Sequence, residues 1–174
     1  MRKASFPPVV GPGARVLILG SLPGEASLAR AQYYGHPRNQ FWRLVGEVIA
    51  APDLPARDYP ARLDALRAAG LALWDVIASA VRPGSLDGAI RDPEANALTD
   101  LIGELPSLRA IAFNGGTAAR LGQRALGAAF DLPLIALPSS SPAYTLAYAD
   151  KARTWRRLAD YLETPPGATP TISR

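Results

Sequence analysis

Four short runs of apolar residues constrain this chain more than any other feature: residues 15–20 (RVLILG), 71–74 (LALW), 109–114 (RAIAFN) and 133–137 (PLIAL). They are continuously apolar rather than alternating, the pattern of strands covered on both faces. Between them, helical periodicity falls at about residues 40–51, 60–69, 93–105 and 117–126, with a last stretch at 144–162. A repeating strand, helix, strand order calls for an α/β fold, a three-layer αβα sandwich around a four-stranded parallel sheet. Proline and glycine cluster in the connections, at 7–13, 52–60, 82–88 and 138–142, where turn chemistry belongs. The reading is one domain over residues 1–163. Residues 164–174, with Pro165, Pro166, Gly167 and Pro170, lack apolar periodicity and read as a flexible end.

With 174 residues, 48% of them hydrophobic, the chain suits one core and is short for two domains. No stretch approaches the ~20 apolar residues of a membrane span, and the first residues lack the apolar centre of a signal peptide. The expectation is a soluble, cytoplasmic protein that engages no membrane. Cysteine is absent and His36 is the single histidine. That excludes disulfides, thiolate zinc, iron-sulfur clusters, cysteine nucleophiles and multi-histidine metal sites. No metal and no cofactor are expected. The net charge of +4 suits an anionic partner such as nucleic acid. Seventeen of the nineteen basic residues are arginine, which suits phosphate contacts but is also what a GC-rich genome encodes.

In an open parallel sheet, ligands gather beyond the carboxyl ends of the strands. The segments that should converge there are Ser21-Leu22-Pro23-Gly24, Asp75-Val76-Ile77, Gly115-Gly116-Thr117 and Pro138-Ser139-Ser140-Ser141-Pro142. The first continues into residues 32–42 (QYYGHPRNQFW), the densest group of aromatic and polar side chains in the chain. Such a group suits a planar heterocycle, which needs stacking for its ring and hydrogen bonds for its edge. Phe41 and Trp42 read as core residues, Tyr33 and Tyr34 as pocket residues. Asn39 reads locally as a helix N-cap, and its amide could instead hold a water. His36 is either a hydrogen-bonded structural histidine or a general base. A triad of Ser21 or Ser140 with His36 and Asp75 lacks the glycine-flanked serine elbow. Asn114 and the glycines after it offer backbone amides to a phosphate. The serine turn is either a phosphate grip or a surface turn. Lys151, Arg153, Arg156 and Arg157, interrupted by Asp150 and Asp160, read as a solvated helix face.

Taken in order, Ile18-Leu19-Gly20-Ser21-Leu22-Pro23-Gly24, residues 33–42 (YYGHPRNQFW), Leu73-Trp74-Asp75-Val76-Ile77, Gly84-Ser85-Leu86-Asp87, Phe113-Asn114-Gly115-Gly116 and residues 137–143 (LPSSSPA) resemble the uracil-DNA glycosylase superfamily, and most closely its hypoxanthine-DNA glycosylase branch. The resemblance spans about residues 15–161. It implies an enzyme that flips a deaminated base (hypoxanthine, xanthine or uracil) out of double-stranded DNA and hydrolyses its glycosidic bond as a monomer, without a cofactor. Where superfamily members carry Asp or Asn in the first loop to activate water, this chain has Ser21, a weak substitute. In the hypoxanthine branch the task falls to the residue matching Asn39, with His36 beside it. The resemblance gives stacking to Tyr34 and the base edge to Asp75, a carboxylate that accepts from ring N–H groups; Leu22, Pro23 and Asn114 join the base pocket. Ser139, Ser140, Ser141 and Pro142 match the DNA clamp, Ser141 at the wedge position, with Lys151 and Arg153 as DNA contacts. Leu137 replaces a polar residue, which removes a hydrogen bond to the leaving base. Lys3 and Lys151 are the only lysines, so base removal without strand cleavage is expected. Two rivals share the fold: a mismatch-specific uracil or thymine glycosylase, and a noncatalytic DNA-binding module.

Overall fold

A computed structural model describes residues 2–128 and 130–163. The chain runs β1 (Arg2–Ala4), β2 (Val16–Gly20), α1 (Glu25–Arg30), α2 (Phe41–Val48), α3 (Tyr59–Ala69), β3 (Leu71–Asp75), β4 (Ile77–Val81), β5 (Arg91–Ala95), α4 (Leu98–Gly103), β6 (Ala110–Asn114), α5 (Gly116–Leu126), β7 (Leu134–Leu137), α6 (Tyr148–Trp155) and α7 (Ala159–Leu162), with 3-10 turns at Leu54–Ala56, Asp87–Ala89 and Arg156–Leu158.

The four apolar runs form one parallel sheet in the order β3-β2-β6-β7. Alternate residues of each strand face opposite layers. Val16, Ile18, Leu71, Leu73, Ala110 and Ala112 pack with Phe41, Trp42, Leu44 and Val45 of α2, Leu66 of α3, and Ala152 and Trp155 of α6. Leu17, Leu19, Ala72, Ile111 and Phe113 face Leu98 and Leu101 of α4 and Ala118 of α5. This is the expected three-layer sandwich. Full burial of each large aliphatic or aromatic side chain contributes about 1.5–3 kcal/mol, so both layers are needed to hold the sheet. On the second face α5 reaches β6 only because position 122 is glycine; a Cβ there would sit 2.2 Å from Phe113 Cε1.

A second sheet was not foreseen. β1, β4 and β5 form an antiparallel sheet in the order β1-β4-β5, and β4 begins two residues after β3 ends. The expected helix over 93–105 is therefore wrong in its first half: Arg91–Ala95 is a strand exposed along its whole length, and α4 is confined to Leu98–Gly103. Pro93 lacks an N–H to donate, which an edge strand tolerates. The last helical stretch begins at Tyr148 instead of 144, and α6 passes through a 3-10 turn into α7. The 164–174 segment lies outside the described residues.

Candidate active site

The chain passes from β2 to β3 on one side and to β6 on the other, so loops leaving the carboxyl ends of β2 and β6 diverge and open a crevice. A cavity of about 460 Å³ lies there, within the range of small-ligand sites. Its lining includes Ser21, Leu22, Pro23, Tyr34, His36, Asn39, Asp75, Asn114 and Ser139 to Pro142. Twelve of the fourteen residues singled out from the sequence thus meet in one place. Lys151 and Arg153 are not in the lining.

The first loop is tied down from below. Arg82, just beyond β4, has a fully buried side chain; its guanidinium donates to the carbonyls of Leu22 at 3.3 Å and of Pro23, and lies 3.7 Å from Asp87 Oδ1. Ser21 Oγ donates to the same carboxylate oxygen at 2.7 Å. Ser85 Oγ accepts from the Glu25 N–H at 2.9 Å, where α1 starts.

Around the next loop, Tyr34 sits in the left-handed region at φ +53°, uncommon for a bulky residue and of a kind that collects at functional sites. Phe41 stacks on one face of its ring, with centroids 3.9 Å apart and planes at 17°. That leaves the opposite face and the edge for the cavity. Tyr33 also lines the cavity and is tied into the core: its hydroxyl donates to the carbonyls of Phe6 and Pro7 at 3.3 and 3.1 Å. Phe41 and Trp42 are buried as expected. His36 Nδ1 accepts from the Arg38 N–H at 3.1 Å, which assigns the proton of the neutral ring to Nε2. Asn39 is not the helix cap, a position held by Gln40, yet its Oδ1 accepts from the Phe41 N–H at 3.0 Å. This turn contact fixes the amide, leaving one Oδ1 lone pair and the Nδ2 group for the cavity.

Asp75, at the end of β3, is 3% exposed. Burial first, then the charge of Asp87, against the opposing effect of Arg82, push its carboxyl up to about 7. At neutral pH it populates both protonation states and is not the fully ionised acceptor expected from its residue type. Burial, then the nearby Asp75 charge, also raise the Tyr34 phenol above its usual range. Asp75 Oδ2 and Tyr34 Oη are both buried without a hydrogen-bond partner among the described residues. A Cβ on Gly20 would stand 2.7 Å from both Asp75 Oδ1 and Tyr34 Oη, so glycine is what lets the two groups close over the strand end.

The Asn114 side chain ties the serine turn to the end of β6: its Nδ2 donates to Ser140 Oγ and its Oδ1 accepts from the Ser140 N–H, both at 2.9 Å. Ser140 is buried, so the serine turn is locked to the end of β6 and is no ordinary surface turn. Lys151 departs from the solvated face read from its neighbours. It is buried, and its ammonium donates to the Ser141 carbonyl at 3.2 Å; burial pulls its pKa down. Arg153 does lie on that face, exposed and paired with Asp150 at 3.4 Å.

The sequence profile of the Uracil DNA glycosylase superfamily matches residues 7–163. The chain belongs to that superfamily. It is a DNA glycosylase, a hydrolase whose substrate is DNA. Among its relatives, a Methanosarcina barkeri protein named hypoxanthine DNA glycosylase is 45% identical over 115 residues, covering 66% of this chain and 72% of the relative. A protein of the same name from Methanosarcina acetivorans is 38% identical over 158 residues, covering 91% and 98%. A solution NMR structure of a Methanosarcina acetivorans protein, provisionally described as a uracil DNA glycosylase, superposes with a TM-score of 0.81 at 37% identity, over 94% of this chain and all of that one.

In this glycosylase the sequence left Arg82, Ser85, Leu86, Asp87 and Tyr144 without a role. Four of these line the cavity, and Arg82 supports it. The Gly84-Ser85-Leu86-Asp87 segment was visible only as part of the family resemblance. Leu86 and Tyr144 are 64% and 48% exposed, large apolar side chains left in solvent at the cavity's rim. Among the described residues no helix is long and apolar enough to cross a membrane.

Proposed function

We infer that this glycosylase removes deaminated bases from double-stranded DNA, hypoxanthine first, with xanthine and uracil as further substrates, and leaves the strand uncut. The observation that carries the reading is the pairing, in one cavity, of a fixed asparagine amide with two orphaned buried polar atoms beside an aromatic face. Buried polar groups without partners are costly, and a flipped base satisfies them. Hypoxanthine presents a ring N–H donor next to a carbonyl acceptor; the protonated form of Asp75 offers one acceptor and one donor, and the Tyr34 hydroxyl adds a donor. The names of the two relatives, at 45% and 38% identity, point to the same base.

The base must leave the stack, at a cost of a few kcal/mol that is least for mispaired bases. The rigid serine turn, tied by Asn114 and Lys151, serves as the backbone clamp, with the Lys151 charge beneath it. Ser141 is too short to fill the space left in the duplex. Leu86 and Tyr144, exposed at the rim, take that role as apolar wedges. Cleavage places positive charge on the sugar and negative charge on the departing base. Asn39 aligns the attacking water against the sugar carbon. As the family resemblance implies, the enzyme works as a monomer.

The test is excision from duplexes carrying inosine, deoxyxanthosine or deoxyuridine, with alkali to reveal abasic sites. Release of hypoxanthine by the wild type, and a fall on the order of 10²- to 10³-fold for Asn39→Ala, the scale for a positioned polar group in a water-excluded site, are the expected results. Near-normal single-turnover excision by Asn39→Ala refutes the water-positioning role. Binding to abasic or mismatched DNA without release of any base refutes the reading as a whole. Excision of mispaired uracil or thymine without hypoxanthine would transfer the chain to the mismatch-specific type.

A further inference from the structure

The first loop of this enzyme carries no carboxylate, yet one reaches it from the second sheet. Asp87 opens the 3-10 turn between β4 and β5, far from Ser21 in sequence, and its Oδ1 accepts the Ser21 hydroxyl proton at 2.7 Å. Both residues line the cavity that holds Asn39. The Asp87 side chain is 39% exposed, and among the described residues its Oδ2 accepts no hydrogen bond from another side chain. Arg82 fixes the carboxylate from the buried side at 3.7 Å while also holding the carbonyls of Leu22 and Pro23. The ion pair therefore sets the position of Ser21 and Asp87 together.

We propose that Ser21 and Asp87 form a relay that accepts the proton of the attacking water, with Asp87 as its terminal base and as a negative charge beside the developing sugar cation. The proposal rests on the reading of Asn39 as the residue that holds this water. With its proton committed to Asp87, Ser21 Oγ faces the cavity as an acceptor, and a water bridging it to Asn39 Oδ1 has a lone pair left to direct at the sugar carbon. As the water oxygen bonds to C1′, the bond from C1′ to the base nitrogen breaks and its electron pair leaves with the base. The water's proton moves to Ser21 Oγ while the Ser21 proton moves to Asp87 Oδ1. Half-exposed Asp87 returns that proton to solvent, and the departing base anion takes one from solvent.

The two nearby acids divide the work: Asp75 is held back from ionising by burial and by the charge of Asp87, while Asp87 sits against Arg82.

Single-turnover excision of hypoxanthine by wild type, Ser21→Ala, Asp87→Asn, Asp87→Glu and the Ser21→Ala/Asp87→Asn double variant tests this. Asp87→Asn keeps an acceptor for Ser21 and loses the base. Its rate should fall on the order of 10²-fold, the lower range for general-base catalysis, with a partial return in Asp87→Glu. The double variant should be no slower than Asp87→Asn, since residues acting as a unit are not additive. Affinity for abasic-site DNA should be unchanged or tighter in Asp87→Asn, because a negative charge facing DNA has been removed. A purely structural Asp87 would instead lose affinity and rate together; melting temperature falls in either case, because Asp87→Asn leaves the buried Arg82 guanidinium without its ion pair. Joint loss of affinity and rate, or multiplicative effects of the two single changes, or an Asp87→Asn rate within about twofold of wild type, overturns the proposal. If wild type excises hypoxanthine and Asp87→Asn does so at a comparable rate, the relay alone fails. If wild type releases no base, the reading beneath it fails as well.

Discussion

Asp75→Asn should make the protein more stable in alkali, and the size of the gain follows from where the carboxyl sits. Its pKa is pushed from 3.8 up to about 7, chiefly by burial. In the unfolded chain the group ionises near 3.8; in the folded chain it keeps its proton until about pH 7. Between those values the native state binds more protons than the unfolded state, so stability falls as pH rises, by about 1.4 kcal/mol per pH unit. The contribution is fully present below about pH 4 and fully lost above about pH 7. The loss comes to about 4 kcal/mol, read as an order of magnitude. Asparagine does not titrate and loses nothing. Thermal melting of both proteins at intervals from pH 3 to pH 9 therefore gives two curves that run parallel at the acid end and separate through about pH 4–7. At about 2–4 °C per kcal/mol for a chain of this size, the variant should melt on the order of 10 °C above wild type by pH 8, relative to their difference at pH 4. Whatever the amide costs by itself is the same at every pH and cancels in this comparison. Parallel melting curves would refute the reasoning: the carboxyl would then ionise alike in both states, and the buried oxygens of Asp75 would have partners.

Tyr34→Phe removes a buried hydroxyl that has no hydrogen-bond partner among the described residues. It should raise stability by about 1 kcal/mol, since such a group carries its desolvation cost unrelieved, while excision slows on the order of 10-fold, the worth of one hydrogen bond to the base; a loss of stability in melting experiments would show that the hydroxyl is satisfied. Arg82→Leu leaves the Leu22 and Pro23 carbonyls without their donor and Asp87 without its ion pair. Two buried carbonyls left without a donor cost about 1–3 kcal/mol each, so the melting temperature should drop by on the order of 10 °C; a drop of under about 2 °C would mean that the first loop is held by other contacts.

The parallel sheet was legible because strands buried on both faces are apolar almost throughout, as β2, β3 and β6 are; the edge strand β7 is only partly buried, and its PLIAL run carries the same signal. The second sheet was not legible, for the same reason turned round. Its strands read RKA, IASAV and RDPEA, and β5 is exposed along its length, so burial writes no pattern into it. Arg82 and Asp87 lie on the connection between two of those strands, and their meaning is fixed by contacts with the first loop some sixty residues away. One buried arginine among seventeen carries no mark in the sequence, and Lys151 was misread in the same way, as one more charge on a helix that is otherwise solvated.

Asn39 shows a different limit. The local pattern offered a cap or a water ligand; the structure gives the cap position to Gln40, while the Asn39 oxygen closes the turn at Phe41 and the group lines the cavity. Local rules also break around the cavity: a tyrosine at positive φ, a buried aspartate with an orphaned oxygen, and a fully buried guanidinium. Positive φ alone does not single out this place, since Ala31, Ala50 and Asp92 share it. What distinguishes the cavity is the combination: Tyr34 and Asp75 line it and Arg82 braces its first loop, and functional sites are where several local rules are expected to fail together. That combination supports the cavity as the candidate active site on physical grounds independent of the family match.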